Sequence, residues 1–200
     1  AVAFDVREAG RPMREGHPLT GKVVTDAAGE PVMQPGTLRA VKAIGWYIAE
    51  YGIAQVSMNL TDLRVTPLHV AFDEVCRAAE ARGMRVTGSE LVGLVPLAAL
   101  LDAGRHFLRK QQRSLGVSEQ ELVRIAITSL GLDELAPFDP AGRVIEYRLR
   151  DTGLSRLVGM TVRAFADETA SESAAPGGGS VAALVGAFAA SLGTMVGNLS

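Results

Sequence analysis

Cysteine is nearly missing from this 200-residue sequence, since Cys76 is the single one, and no disulfide can form within the chain. Burial and hydrogen bonding must therefore hold the fold, which suits a reducing, cytoplasmic setting. Only three histidines are present, His17, His69 and His106, and with one thiol they form no structural zinc set, so no metal is expected. An excess of either charge is also missing. Twenty Lys and Arg stand against 22 Asp and Glu, a net charge of -2, so the summed field attracts neither nucleic acid nor anionic lipid, and neither is an expected partner. The first residues lack the basic-then-apolar order of a secretory signal, and a start at Ala1 rather than Met reads as a cut. What is abundant is apolar: 48% of residues are hydrophobic and 21% charged, enough to bury a core in one domain, or one plus part of another.

Along the chain, Ala1–Glu8 reads as the last turns of a helix, stopped by Gly10 and Pro12. Residues 13–36 are crowded with Gly, Pro and charge, and Lys22–Asp26 and Glu30–Gln34 read as the arms of an exposed hairpin. Leu38–Ala49 and Ala54–Thr61 read as two strands joined by a short loop containing Gly52. Pro67 opens a helix in which Leu68, Phe72, Val75, Cys76 and Ala79 recur at helical spacing up to Gly83, which puts Cys76 in the core. Met84–Thr87 is a candidate strand, Gly88–Val95 a loop, and Pro96 starts a second helix with Leu97, Leu100, Leu101 and Leu108 on its apolar face. Ser118 and Glu121 make a capping box before a third helix, and Val144–Leu149 is a candidate closing strand. Arg150–Arg156 reads as linker. Thr161–Ala170 is an amphipathic helix, and a small-residue loop then leads into an uncharged helical run, Val181–Leu199.

Few motifs carry chemistry. Gly16, Gly21 and Lys22 match most of a phosphate-loop pattern, but Val23 stands where the magnesium-binding hydroxyl belongs, and the match is set aside. Val181–Leu199 approaches membrane-spanning length and carries a GxxxG pair, Gly193 and Gly197. Its small residues, together with Ser191, Thr194 and Asn198, suit a central helix of a soluble bundle better. Gly177, Gly178, Gly179 and Ser180 precede it, either as an anion-docking loop at free helix amides or as a tight turn capped by Ser180. Arg105, His106, Arg109, Lys110 and Arg113 cluster at a helix C-terminus, where cations complement the dipole on an ordinary solvated face. His69, four residues before Asp73, reads as half of a surface pair rather than a catalytic base. On the second strand Gln55, Ser57 and Asn59 alternate with Val56, Met58 and Leu60. That polar face is either wet or lines a polar ligand site.

Four stretches then carry a resemblance: Val41-Lys-Ala-Ile-Gly-Trp-Tyr47, Ala54-Gln-Val-Ser-Met-Asn-Leu60, Val86-Thr-Gly-Ser-Glu-Leu-Val-Gly-Leu-Val-Pro96 and Gly131-Leu-Asp-Glu-Leu-Ala-Pro-Phe-Asp-Pro140. With Ser173-Ala-Ala-Pro-Gly-Gly-Gly-Ser-Val-Ala-Ala183, they resemble the formiminotransferase-cyclodeaminase family, bifunctional folate enzymes of histidine breakdown. The resemblance implies an α+β fold with a ferredoxin-like two-layer sandwich, followed by the start of an all-α helical domain. It divides the chain into the end of an N-terminal transferase subdomain (1–12), a surface insertion (13–36), the C-terminal transferase subdomain (37–149), a linker (150–159) and the opening of a cyclodeaminase domain (160–200).

The implied reaction moves a formimino group from formiminoglutamate to tetrahydrofolate, a co-substrate, and then closes the ring with loss of ammonia. The family's catalytic histidine and aspartate fall outside these residues, so no catalytic residue is assigned. The implied folate tunnel makes Gln55, Ser57 and Asn59 folate-lining candidates. Lys42 and the cations Arg105, Arg109 and Arg113 become candidates for the glutamate tail. The resemblance further implies folate and formiminoglutamate as partners and a homo-oligomer when intact. The alternative is a non-catalytic folate or amino-acid binding module.

Overall fold

The computed structural model describes residues 1–18, 20–50, 52–150 and 157–199, and the fold is α+β. The chain divides into two units, residues 1–90 with 128–137, and residues 91–127 with 138–199. The expected linker lies mainly on residues outside those described.

In the first unit, a short helix α1 (Val2–Val6) packs Val2, Ala3 and Val6 inward. The chain then makes a small exposed lobe of paired two-residue strands: β1 (Arg11–Pro12) with β4 (Met33–Gln34), and β2 (Arg14–Glu15) with β3 (Lys22–Val23). The expected hairpin is present, its turn closed by the Asp26 amide donating to the Glu30 carbonyl and by the Asp26 carboxylate accepting from the amides of Ala28 and Glu30. Met13 threads beside it, its amide donating to Val32 and its carbonyl accepting from Val24. No described residue from 13 to 36 is buried.

The central element is an antiparallel hairpin of β5 (Val41–Ile48) and β6 (Ile53–Leu60), in register from Val41 opposite Leu60 to Ile48 opposite Ile53. Gly52 takes φ +63° in the connecting turn, a conformation open to a residue without Cβ. At the other end Ala40 holds φ +53°, which costs a residue with a Cβ about 1–2 kcal/mol. Three hydrogen bonds hold it there: its amide donates to the Glu8 carboxylate, and its carbonyl accepts from both the amide and the hydroxyl of Thr61.

Helix α2 (Leu68–Glu80) starts after Pro67 and ends with Gly83 at φ +69°. Ala71, Val75, Ala78 and Ala79 recur at helical spacing and join Val2, Ala3, Val6, Leu38, Val41 and Ala43 in one buried cluster, with Val56, Met58, Leu60 and Val86 against it. Thr66 is the buried polar side chain beside this cluster, and its hydroxyl donates to the Arg39 carbonyl at 2.6 Å. Cys76 is only half-buried: it lies a position away from the inward row, on the flank of the helix, and the core expectation is corrected. Met84–Thr87 forms no strand, because β5 and β6 pair only with each other among the described residues. Residues 88–94 run as a loop, anchored by the Ser89 hydroxyl donating to the Leu130 carbonyl at 2.7 Å.

In the second unit α3 (Leu97–Lys110) buries Leu97, Leu100, Ala103, Gly104, Phe107 and Leu108. Helix α4 (Glu119–Leu130) buries Leu122, Val123, Ala126 and Ile127 within this unit. Ser118 caps it by accepting from the Glu121 amide at 3.2 Å, but the box is one-sided, because the Glu121 carboxylate is drawn to Arg124 at 2.6 and 2.8 Å. The closing strand is corrected too. Val144 makes one parallel bridge to Val95, and the chain folds on as α5 (Pro140–Arg143) and α6 (Ile145–Arg150). The Glu146 carboxylate accepts from the Leu97 amide at 2.7 Å, satisfying an open donor at the start of α3, and a helix at 145–150 puts it there. Residues 157–199 are helical where regular: α7 (Val162–Thr169), capped by Thr161, and α8 (Gly178–Leu199), none of whose described residues is buried.

At Gly104 helix α3 meets α4 with no room for a Cβ. A Cβ built there lies 2.3 Å from the Leu122 carbonyl oxygen. Alanine raises helix propensity by about 1 kcal/mol, whereas overpacking costs about 1–3 kcal/mol, so the clash wins. Gly104→Ala is expected to lower the urea midpoint, and an unchanged or raised midpoint would show that helix propensity outweighs the clash.

Candidate functional site

Register decides what shares a face in a hairpin, because opposed residues point the same way and alternate residues point oppositely. Val41, Ala43 and Gly45 oppose Leu60, Met58 and Val56, and this face turns toward α1 and α2. Lys42, Ile44 and Trp46 oppose Asn59, Ser57 and Gln55 on the other face. The three polar residues expected from the alternation of β6 are thus brought together with Lys42. They are also joined by Ile44 and Trp46, 57% and 46% exposed.

Those two were not among the residues expected from sequence, although the signal was there. The inward alternation Val41, Ala43 and the short turn at Gly52 determine which β5 residues oppose Gln55, Ser57 and Asn59. The face is amphipathic along its length. A cation and an amide sit at one end, an indole and an amide at the other, with Ile44 and Ser57 between.

Nearby acids are engaged elsewhere. The Glu8 carboxylate accepts from the Ala40 amide. Beyond β6, the Arg64 guanidinium at 2.9 and 3.1 Å holds the Asp62 carboxyl below its usual range. Glu74 is likewise held low by its hydrogen bonds from Arg77, helped by Thr37, with partial burial opposing the shift. Among the described residues Lys42 has no ion-pair partner, and its charge is available to a ligand.

The other expected residues lie in the second unit. Arg105 and Arg109 stand four residues apart on α3, and Arg113 follows in the turn after it. Arg105 is paired with Asp102 at 3.1 Å, and Arg113 adds to the field that, after the Arg124 hydrogen bonds, keeps Glu121 low. Gly177, Gly178, Gly179 and Ser180 form the entry to α8. The helix begins at Gly178, earlier than expected, so Ser180 lies within its first turn and is not its cap. None of the three glycines uses a positive φ, so the backbone freedom argued for them is not exercised in this fold.

A hollow of about 420 Å³ lies between Gly116–Glu121 and the end of α8, where the Asn198 side-chain amide donates to the Gly116 carbonyl at 2.9 Å. None of the expected site residues lines it. The three histidines are scattered. His17 meets Thr20 on the exposed lobe, His69 lies in the first turn of α2, and the His106 ring is edge-on to Phe107. Lys22 sits in β3 with no helix after it, in keeping with setting the phosphate-loop match aside. Among the described residues no group of three or more His, Cys, Asp and Glu is placed to hold a metal ion.

Comparison with known families bears on the chain as a whole. The formiminotransferase domain family matches residues 1–150, three quarters of the chain. The chain belongs to the formiminotransferase family. A second family, described as formiminotransferase-cyclodeaminase, matches residues 161–200, so the two follow one another along this chain. The formimidoyltransferase-cyclodeaminase of Rattus norvegicus is 48% identical over 168 residues, 84% of this chain and 31% of the rat protein. That of Sus scrofa is 45% identical over 197 residues, 98% of this chain and 33% of its own length. A glutamate formimidoyltransferase of Thermoplasma acidophilum is 38% identical over 74 residues, 37% of this chain and 24% of its own. The chain spans about a third of the length of these two formimidoyltransferase-cyclodeaminases.

The two faces of the formiminotransferase hairpin differ in what they cost to change. Val41→Ala removes fully buried carbon and is expected to cost about 1.5–3 kcal/mol. Ile44→Thr, two residues on and on the open face, is expected to stay within about 0.5 kcal/mol of the parent. Urea unfolding of both variants checks this, and a comparable loss in each would mean that the open face is packed.

Proposed function

We propose that this chain is part of a folate-dependent glutamate formimidoyltransferase fused to a formiminotetrahydrofolate cyclodeaminase, acting in histidine degradation. The observation that carries the reading is the succession of the two family matches along one chain, 1–150 and then 161–200. The open amphipathic face of β5 and β6 supplies a surface suited to an extended, partly aromatic, anionic substrate.

In the first reaction the N5 amine of tetrahydrofolate attacks the amidine carbon of formiminoglutamate, forming a C–N bond and a tetrahedral centre. A base takes the amine proton, the bond to the glutamate nitrogen breaks, and glutamate leaves with a proton. In the second, N10 attacks the transferred formimino carbon and ammonia departs. The part assigned to this chain is binding and orientation. Lys42, Gln55, Ser57 and Asn59 contact the folate, while Arg105, Arg109 and Arg113 attract the carboxylates of a polyglutamate tail. Gly177–Ser180, where α8 begins with free amides, receives an anionic end of the ligand in the cyclodeaminase half. No residue here is given the role of base, and none of the three histidines lies on the open face.

The remaining parts of the proposal concern context. The hairpin with helices on one face belongs to a ferredoxin-like two-layer sandwich spanning 37–149, after the end of an N-terminal subdomain at 1–12 and a surface insertion at 13–36. A linker at 150–159 leads to the helical cyclodeaminase opening at 160–200. Helix α8 is long and apolar enough to cross a membrane by length and composition. Membership of residues 161–200 in the cyclodeaminase family favours a helix covered by protein instead. The intact protein is cytoplasmic and homo-oligomeric, uses tetrahydrofolate without a metal, and has no nucleic-acid or membrane partner.

The test is to supply the natural full-length protein with formiminoglutamate and tetrahydrofolate, following glutamate release, ammonia release and the absorbance of the methenyl product. Turnover of both steps is expected. Asn59→Ala should weaken folate affinity by the loss of one hydrogen bond, about 0.5–1.5 kcal/mol, with the melting temperature retained. Folate binding without either product would replace the enzyme reading with a binding module, and no folate binding would remove both.

A further inference from the structure

Along the open face the chemistry is graded, and the gradient has a direction. Lys42 and Trp46 are four residues apart on the same side of β5, about 14 Å at the rise of an antiparallel strand. Ile44 forms an apolar step between them, and Gln55 beside Trp46 and Asn59 beside Lys42 place a hydrogen-bonding amide at each end. An indole left 46% exposed next to an isoleucine left 57% exposed is a flat apolar surface that water wets poorly, and a planar heterocycle covers it well. Among the described residues the cation at the other end has no ion-pair partner, and Glu8 and Asp62 are engaged by the Ala40 amide and by Arg64.

We propose that the folate lies lengthwise on β5, its pterin ring stacked on Trp46 and its glutamate carboxylates at Lys42. This rests on the folate reading above and deepens it by assigning an orientation and two anchoring residues. The spacing suits the ligand, because the bicyclic ring and the first carboxylates of a folate are separated by the aminobenzoyl group. Ile44 then underlies that group with Ser57 beside it, and Gln55 faces the polar edge of the ring. The reverse orientation sets the carboxylates on indole and isoleucine, desolvating charge without a partner, and leaves Lys42 under a neutral ring.

The orientation is tested by calorimetric titration of the natural full-length protein with three probes: tetrahydrofolate, 6-methyltetrahydropterin, which lacks the tail, and p-aminobenzoylglutamate, which lacks the ring. Trp46→Ala is expected to weaken tetrahydrofolate and the pterin by a common factor of about fivefold or more, the scale of aromatic stacking, and to leave p-aminobenzoylglutamate unchanged. Lys42→Met is expected to weaken tetrahydrofolate and p-aminobenzoylglutamate by about two- to fivefold, less at high salt, and to leave the pterin unchanged. Trp46→Phe should recover most of the affinity and Trp46→Leu should not, a comparison that holds even if alanine disturbs folding. An exchanged pattern, equal effects on all three probes, no effect of either variant, or equal behaviour of Phe and Leu overturns the orientation while leaving folate binding in place. Failure of the parent protein to bind tetrahydrofolate overturns the underlying functional reading instead.

Discussion

The one-to-one register of β5 and β6 is the constraint from which the candidate site follows. A slip of a single residue turns Val41 and Ala43 out to solvent and Lys42 and Trp46 into the cluster beneath, so the burial of two small apolar side chains holds the polar face open. Each fully buried aliphatic side chain contributes about 1.5–3 kcal/mol, and an unpaired buried lysine costs more than that, so both signs of the energy favour the observed register. The turn at Gly52 and the three hydrogen bonds at Ala40 pin the two ends.

Beneath the hairpin, the five-residue α1 is too short to persist as a helix alone. It is held by its surroundings. The amides of Thr37 and Leu38 donate to the carbonyls of Asp5 and Val6, and the Glu8 amide donates to Val41. Asp5 is bracketed by Arg11 and Arg82, which ties α1 to the strand after it and to the end of α2. Gly36 is required for this closure, since a Cβ there meets the Arg7 carbonyl at 2.0 Å. The exposed lobe at 13–36 therefore leaves and rejoins the unit at two backbone crossings, Gly10 against Gln34 and Gly36 against Arg7.

In the second unit the same economy appears in helix ends. Asp139 accepts from the amides of Ala141 and Gly142, Ser118 from Glu121, Thr161 from Ala164, and Glu146 from Leu97. Three of these four caps are local, and the fourth crosses the fold. Helix α8 differs in kind. It has no charge along its length and exposes Val185, Phe188, Leu192, Met195 and Val196.

Local patterns in the sequence determined much of this. The alternation of β6, the apolar spacing of α2 and α3, the stop at Gly83, the hairpin at Asp26–Glu30 and the cap Ser118 all follow from neighbours within one turn or one pleat. The family resemblance was equally legible, because it rests on contiguous motifs. Other features depended on partners distant in the chain. Residues 145–150 have a strand-like composition yet form a helix, which sets Glu146 at the start of α3, 49 residues earlier. Met84–Thr87 lacks a neighbouring strand, and a strand without one has no ladder to satisfy its amides. Cys76 sits at helical spacing but one position off the inward row, a rotation set by what α2 packs against. Ile44 and Trp46 joined the candidate site only when pairing placed them opposite Ser57 and Gln55. Periodicity within one strand identifies its two faces, but which residues of another strand share a face is a property of the pair, and that was decided by tertiary structure.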